Sequence, residues 1–328
     1  MKFHKFILMI LAITLFSFSG CSSDSDLPEP SVTDPNTSQD PNTEQEETNN
    51  SSDEEIKNDE TNEEANKEEN NEENEEPNKE ESDDSMLKTT YSILFIGNSY
   101  TFYNDMPTAI FKPLAKSAGY EVEITTITNE AHTLEKMADP NDTYGAKVEK
   151  ALNGTNKYDY VILQEQSVRP ANESAEKFYA AVRNLSARIR ESGATPILYS
   201  TWGRKTGSNT LTNNGWTNES MTWKLAAAYE AIGKELDIPV AHVGLAFYDI
   251  FTDPNPIDLY NDDKSHPNYA GSYLAAATLF CKIFNTDPGT LSYNGSLSAE
   301  NATALLQAAA KAVFQPTSIP DEYITTSK

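Results

Sequence analysis

The feature that most limits what this chain can fold into is residues 22–87, a stretch built almost wholly of Asp, Glu, Asn, Ser, Thr and Pro. It holds 25 acidic side chains against three lysines, a net charge of −22 out of −26 for all 328 residues. With so few apolar groups it cannot bury enough surface to offset the entropy of ordering, and its like charges push it into extended forms. It reads as a disordered acidic tether. Any core must therefore come from residues 88–328, where 26 acids nearly balance 20 bases. That length suits one domain. Nothing in it is basic enough to suggest nucleic-acid binding.

Residues 1–21 read as a leader. Lys2 and Lys5 are followed by the apolar run Phe6 to Phe16 and then by small residues, the pattern of an export signal. The run is too short for a stable membrane span. Phe18-Ser19-Gly20-Cys21 resembles the lipobox of bacterial lipoproteins. The resemblance implies cleavage before Cys21, acylation of that cysteine, and an extracytoplasmic domain anchored to a membrane and held off it by the tether. An ordinary secretory signal with an incidental cysteine is the plainer alternative. Asp24 and Asp26 just beyond Cys21 also resemble an export signal of surface-exposed lipoproteins, a weaker reading. The domain itself has one cysteine, Cys281, so no disulfide within it and no cysteine-based zinc site is possible. Its setting, "LAAATLFCKIF", makes a small buried hydrophobe of it.

Within the domain, apolar β-branched runs alternate with helical patterns. Strands are expected at Ser92–Ile96, Val122–Ile127, Tyr160–Leu163, Thr195–Tyr199 and Pro239–Val243. Phe178, Val182, Leu185 and Ile189 share one helical face, as do Leu225, Ala228, Tyr229, Ile232 and Leu236. Two further helices are expected at about 269–284 and 298–314. Strands separated by helices imply βαβ units with right-handed crossovers. The expected fold is thus a three-layer α/β/α sandwich around a central, mostly parallel five-stranded sheet. Ligands bind such sheets outside the carboxyl ends of the strands, so the loops "GNSYTF" at 97, "NEAHTL" at 129, "QEQSVRP" at 164, "STWGRKTG" at 200 and 244–268 matter most.

Ser99 stands at the tip of the first strand, behind Gly97. A serine there exposes its hydroxyl at the sheet edge, next to helix N–H groups that can stabilise an oxyanion. Alone it would more often be a cap or turn residue. A nucleophile needs a base, and the domain offers His132, His242 and His266. His242, in "PVAHVG", suits a packed structural role. His266 follows Asp263 by three residues in "DDKSHPN", a spacing that can fold the carboxylate onto the imidazole and set its tautomer. A surface Asp-Lys-Ser-His loop is the bland alternative. With Ser99 at a strand tip, a Ser99–His266–Asp263 triad is favoured.

"FIGNSY" at 95, "LQEQS" at 163 and "DDKSHPN" at 262, in that order, resemble the SGNH, or GDSL-like, hydrolase superfamily, which shares a flavodoxin-like α/β layout. The resemblance covers nearly all of 91–315. "PVAHVGLAF" and "HPNYAGSYLAAATLFCKIF" look like a bacterial lipoprotein branch of it with few characterised members. It implies Ser99 as nucleophile, His266 as general base and Asp263 as its orienting carboxylate, with no metal or cofactor. It also implies an oxyanion hole made of the Ser99 N–H, a glycine N–H after the second strand and an asparagine side chain after the third. Here "GDS" becomes "GNS", Ala131 or His132 stands where glycine is usual, and Gln166, or next Gln164, stands for asparagine. An amide on a longer arm can still donate.

Asn98, Trp202 and Arg204 are the candidate substrate contacts. Tryptophan's flat apolar face and single donor suit sugar rings, and Trp216 lies near the same loop. Trp223, inside a helical pattern, reads as core. The expected function is a monomeric serine esterase removing short acyl groups, above all acetyl, from carbohydrate. A glycan-binding surface lipoprotein with a decayed site is the alternative. A nucleotide-binding module fits poorly, because the "GNSYTFYN" loop has one glycine and no phosphate-binding lysine.

Overall fold

The structure, a computed structural model, describes residues 90–172 and 175–324. The leader with Cys21 and the acidic tether lie outside the described residues. Five strands form the sheet: β1 Thr90–Gly97, β2 Glu121–Thr128, β3 Tyr160–Leu163, β4 Thr195–Tyr199 and β5 Val240–Ala241. All neighbours pair in parallel, in the order β2-β1-β3-β4-β5. The helices are α1 Ser99–Phe102, α2 Lys112–Ser117, α3 Leu134–Ala138, α4 Thr143–Asn153, α5 Ala175–Glu191, α6 Asn209–Asn214, α7 Asn218–Leu236, α8 Val243–Phe251, α9 Tyr269–Phe284 and α10 Ala299–Phe314. β5 is shorter than the run Pro239–Val243 suggested. Pro239 has no N–H for a ladder, and His242 already caps α8.

Successive strand residues point to opposite faces, and each face has its own core. Ile93 and Phe95 of β1, Ile162 and Tyr199 join one cluster with Phe247 of α8, Tyr273 and Phe280 of α9 and Leu305 of α10. Leu94, Ile96, Val161, Leu163 and Leu198 join the other, with Phe178, Val182, Leu185 and Ile189 of α5 and Tyr229 and Ile232 of α7. Burial on both faces is why the strands read as continuous apolar runs. Cys281 lies in the first core, and burial pushes its thiol up to about 12. None of the described helices is long and apolar enough to cross a membrane.

Strand order reverses direction between β1 and β3, which both leave their carboxyl ends at the same rim. Such a switch point opens a crevice for ligands. Gly97 closes β1 there, and a Cβ on it would lie 2.6 Å from both Gln164 Oε1 and Thr101 Oγ1. Glycine is needed at this position for close approach of neighbouring side chains.

Candidate active site

Ser99 is the first residue of α1, and Asn98 caps that helix by accepting the Tyr100 N–H at 3.2 Å. At such a position the Ser99 N–H has no intrahelical carbonyl to bind. The serine is 5% exposed. Its Oγ lies 2.8 Å from His266 Nε2, and His266 Nδ1 lies 2.5 Å from Asp263 Oδ2. Residues 167 positions apart in the chain thus meet at one rim of the sheet.

The Asp263–His266 turn folds on itself. Asp263 Oδ1 accepts the N–H groups of Ser265 and His266, both at 2.9 Å. Burial raises the Asp263 carboxyl, but the hydrogen bonds from the His266 ring and from these N–H groups outweigh it, so the group ends below the ordinary carboxylate range. The turn is pinned from outside. Trp202 Nε1 donates to Ser265 O at 3.1 Å, Tyr100 Oη lies 3.0 Å from Ser265 Oγ, and Tyr260 pairs with Pro267 in an antiparallel bridge. Asn268 then caps α9, accepting the Gly271 N–H at 3.0 Å.

Several substrate and oxyanion expectations are corrected. Asn98 does not face substrate. It is buried, its Nδ2 donates to His132 O at 2.9 Å, and its Oδ1 accepts from Gln164 Nε2 at 3.0 Å. Gln164 is likewise spent internally. Its Oε1 accepts from Asn98 N and Thr101 Oγ1, both at 2.9 Å, and its Nε2 also donates to Glu165 O. Trp202 is fully buried, stacked between Tyr100 (4.4 Å) and Phe247 (4.1 Å), so it is core and not a sugar platform. Arg204 is buried too, and its guanidinium donates to Tyr100 Oη and Ser167 Oγ. In each case a polar group in a loop satisfies a neighbouring loop, because a buried polar group left unpaired is costly.

The loop after β2 separates its two candidates. The His132 N–H donates to Asn129 O at 3.2 Å, so it is committed to a turn. Its ring is buried between Asp142 Oδ1 (2.9 Å) and Asn129 Nδ2 (3.1 Å), and is structural. Ala131 is exposed and has φ +51°, a region that disfavours residues with a Cβ. After β3, Gln166 Oε1 accepts from the N–H groups of Val168 and Arg169 at 3.0 and 3.2 Å. Held by its oxygen, its amide leaves the NH2 end uncommitted to any described residue.

Some residues escaped sequence reasoning. Glu165 is fully buried, and its carboxylate accepts the Leu134 N–H at 3.2 Å and the Gln166 N–H at 2.6 Å. It clasps the loops after β2 and β3 together. Burial pushes the carboxyl up to about 7, against the pull of those hydrogen bonds and of Arg169. Tyr100 and Tyr103 flank the His266 ring. The signal for Glu165 was an acid between two glutamines directly at a strand end. No pattern marked the tyrosines. His242 is buried and lies 2.9 Å from Glu230 Oε2 of α7. Trp223 is core, and Trp216 packs beside Leu211, Met221 and Leu225. Among the described residues no three His, Cys, Asp or Glu side chains cluster in a way that could hold a metal ion.

No family model matches the chain, and no curated protein does. Solved structures do. The chain is similar to a candidate SGNH hydrolase from Slackia heliotrinireducens, with a TM-score of 0.52 and 29% identity over 59% of this chain and 99% of that one. It is similar in fold to a DUF4886 family protein from Bacteroides uniformis, with a TM-score of 0.61 and 20% identity over 71% of this chain and 98% of that one.

Proposed function

We propose that this chain, which belongs to the SGNH, or GDSL-like, hydrolase superfamily, is a serine esterase that removes short acyl groups, above all acetyl, from carbohydrate. The reading rests foremost on one line of contacts, Ser99 Oγ to His266 Nε2 at 2.8 Å and His266 Nδ1 to Asp263 Oδ2 at 2.5 Å. A hydroxyl, an imidazole and a carboxylate so aligned can perform nucleophilic acyl transfer.

In the proposed reaction, Ser99 Oγ attacks the ester carbonyl while its proton passes to His266 Nε2. Asp263 holds the Nδ1–H tautomer and stabilises the imidazolium. The imidazolium then protonates the leaving alcohol, giving an acyl-Ser99. Water, deprotonated by the same imidazole, releases the acid. The oxyanion would be held by the Ser99 N–H, the Ala131 N–H and the Gln166 amide. Each such donor contributes roughly 3 kcal/mol at the transition state. The His132 N–H and Gln164 drop out of this assignment, since both are already bonded. We further propose a lipid anchor at Cys21 and display on an extracytoplasmic membrane face.

Hydrolysis of p-nitrophenyl acetate by the wild type and by Ser99→Ala tests the reading, together with organophosphonate labelling. Labelling at Ser99 and loss of nearly all turnover in the variant are expected. A wild-type protein inert on every short ester, yet binding acetylated glycans, would replace the esterase with the glycan-binding alternative.

A further inference from the structure

Two hydrogen bonds fix the His266 ring only along the line from Nδ1 to Nε2. The ring remains free to roll about that line unless something meets its faces. Tyr103 does. The two rings are stacked, 4.2 Å between centroids and 6° from parallel, while the Tyr100 ring and the imidazole meet in a T shape at 5.5 Å and 71°.

The backbone beyond Tyr103 is shaped to deliver it there. Asn104 and Asp105 have φ +55° and +49°, two successive left-handed residues that are not glycine. L-residues avoid this conformation, and it persists only where surroundings hold it. Here the holder is the His266 segment itself. Asn104 Nδ2 donates to Pro267 O at 3.1 Å and to Ser272 Oγ at 2.8 Å, and Ser272 Oγ donates to Tyr103 O at 3.3 Å. The serine loop and the histidine loop are stapled to each other at the point where the ring is placed.

We propose that Tyr103 is a positioning residue of this site: its ring stops the roll of the His266 imidazole and its π face favours the imidazolium formed when Ser99 gives up its proton. The proposal rests on the serine-esterase reading for its kinetic consequence. Two neutral rings gain little from a face-to-face stack, whereas a cation over an aromatic face is attracted to it. The contact therefore strengthens as the imidazole takes the proton from Ser99. The charged and titratable groups that meet the imidazole are Asp263 at Nδ1, Tyr100, whose hydroxyl Arg204 holds, and Tyr103.

The test compares the full-length wild type with Tyr103→Phe, Tyr103→Leu and Asn104→Ala on p-nitrophenyl acetate, and follows the His266 ring protons by NMR of histidine-labelled protein. Tyr103→Leu should lower kcat roughly three- to thirtyfold with little change in KM. Tyr103→Phe should restore wild-type rates, since the ring and not its hydroxyl acts. Asn104→Ala, which cuts the staple and spares the ring, should lower kcat in the same sense, and it serves if the leucine variant does not fold. The His266 ring protons should leave their ring-current-shifted positions in Tyr103→Leu and keep them in Tyr103→Phe. Wild-type kcat in the leucine variant, or a loss confined to KM, would overturn the proposal. If the wild type proves no faster than Ser99→Ala, the esterase reading has failed by itself. The low-field His266 Nδ1–H resonance, which reports the bond to Asp263, then decides alone: broadened or lost in the leucine variant and kept in Tyr103→Phe, it sustains Tyr103 as the brace of the imidazole; unchanged in the leucine variant, it refutes it.

Discussion

Asn98 and Gln164 hold each other by a reciprocal pair of hydrogen bonds: the Asn98 N–H donates to Gln164 Oε1 at 2.9 Å, and Gln164 Nε2 donates back to Asn98 Oδ1 at 3.0 Å. Both are buried. A third bond, from Asn98 Nδ2 to His132 O, adds the loop after β2, so three strand-end loops converge on the residue before Ser99.

The amide at position 98 is required because one end donates and the other accepts. Asn98→Asp, which recreates the GDS form usual in the superfamily, keeps the acceptor for Gln164 but sets a carboxylate oxygen against the His132 carbonyl. A buried donor lost in this way costs about 1–3 kcal/mol. The urea midpoint of the variant should fall accordingly, and the rate with it. An unchanged midpoint would show that the three-loop brace carries no stability.

Glu165 should make stability depend on pH. Its carboxyl holds a proton up to about 7 in the folded protein, against an ordinary value of 4.5. Between these values the folded state binds more protons than the unfolded one, so stability falls as pH rises through that window. The full penalty above it is roughly 2–4 kcal/mol. Urea unfolding at pH 5 and pH 8 should show a drop for the wild type that Glu165→Gln largely lacks. Equal drops in both proteins would rule out Glu165 as the source.

Ala131 occupies the left-handed region at φ +51°, where a Cβ costs about 1–2 kcal/mol. Glycine, the usual residue of the superfamily here, removes that strain but loses more chain entropy on folding. Ala131→Gly should therefore raise stability by up to about 1 kcal/mol and the unfolding midpoint with it, and Ala131→Val should lower both. Hydrolysis by the glycine variant should match the wild type, because the backbone N–H is the same. A less stable glycine variant would contradict the strain.

The sequence by itself determined the layers. Apolar β-branched runs and 3.6-period helix faces are set by local sterics and by which faces are apolar, so β1 to β4 could be read to within two residues of their ends and the faces of α5 and α7 by their period, while β5 was read too long. The spacing of Asp263 and His266 was legible for the same reason, since three residues close within one turn. Only the tertiary structure decided what the polar loop residues do. Asn98 and Gln164 are 66 positions apart, Trp202 sits against Tyr100 and Phe247, and Tyr103 reaches His266 from another loop. A side chain at a strand tip can turn to solvent or to its neighbour. That choice depends on which unpaired donor or acceptor the fold brings beside it, and no local pattern along the chain encodes it.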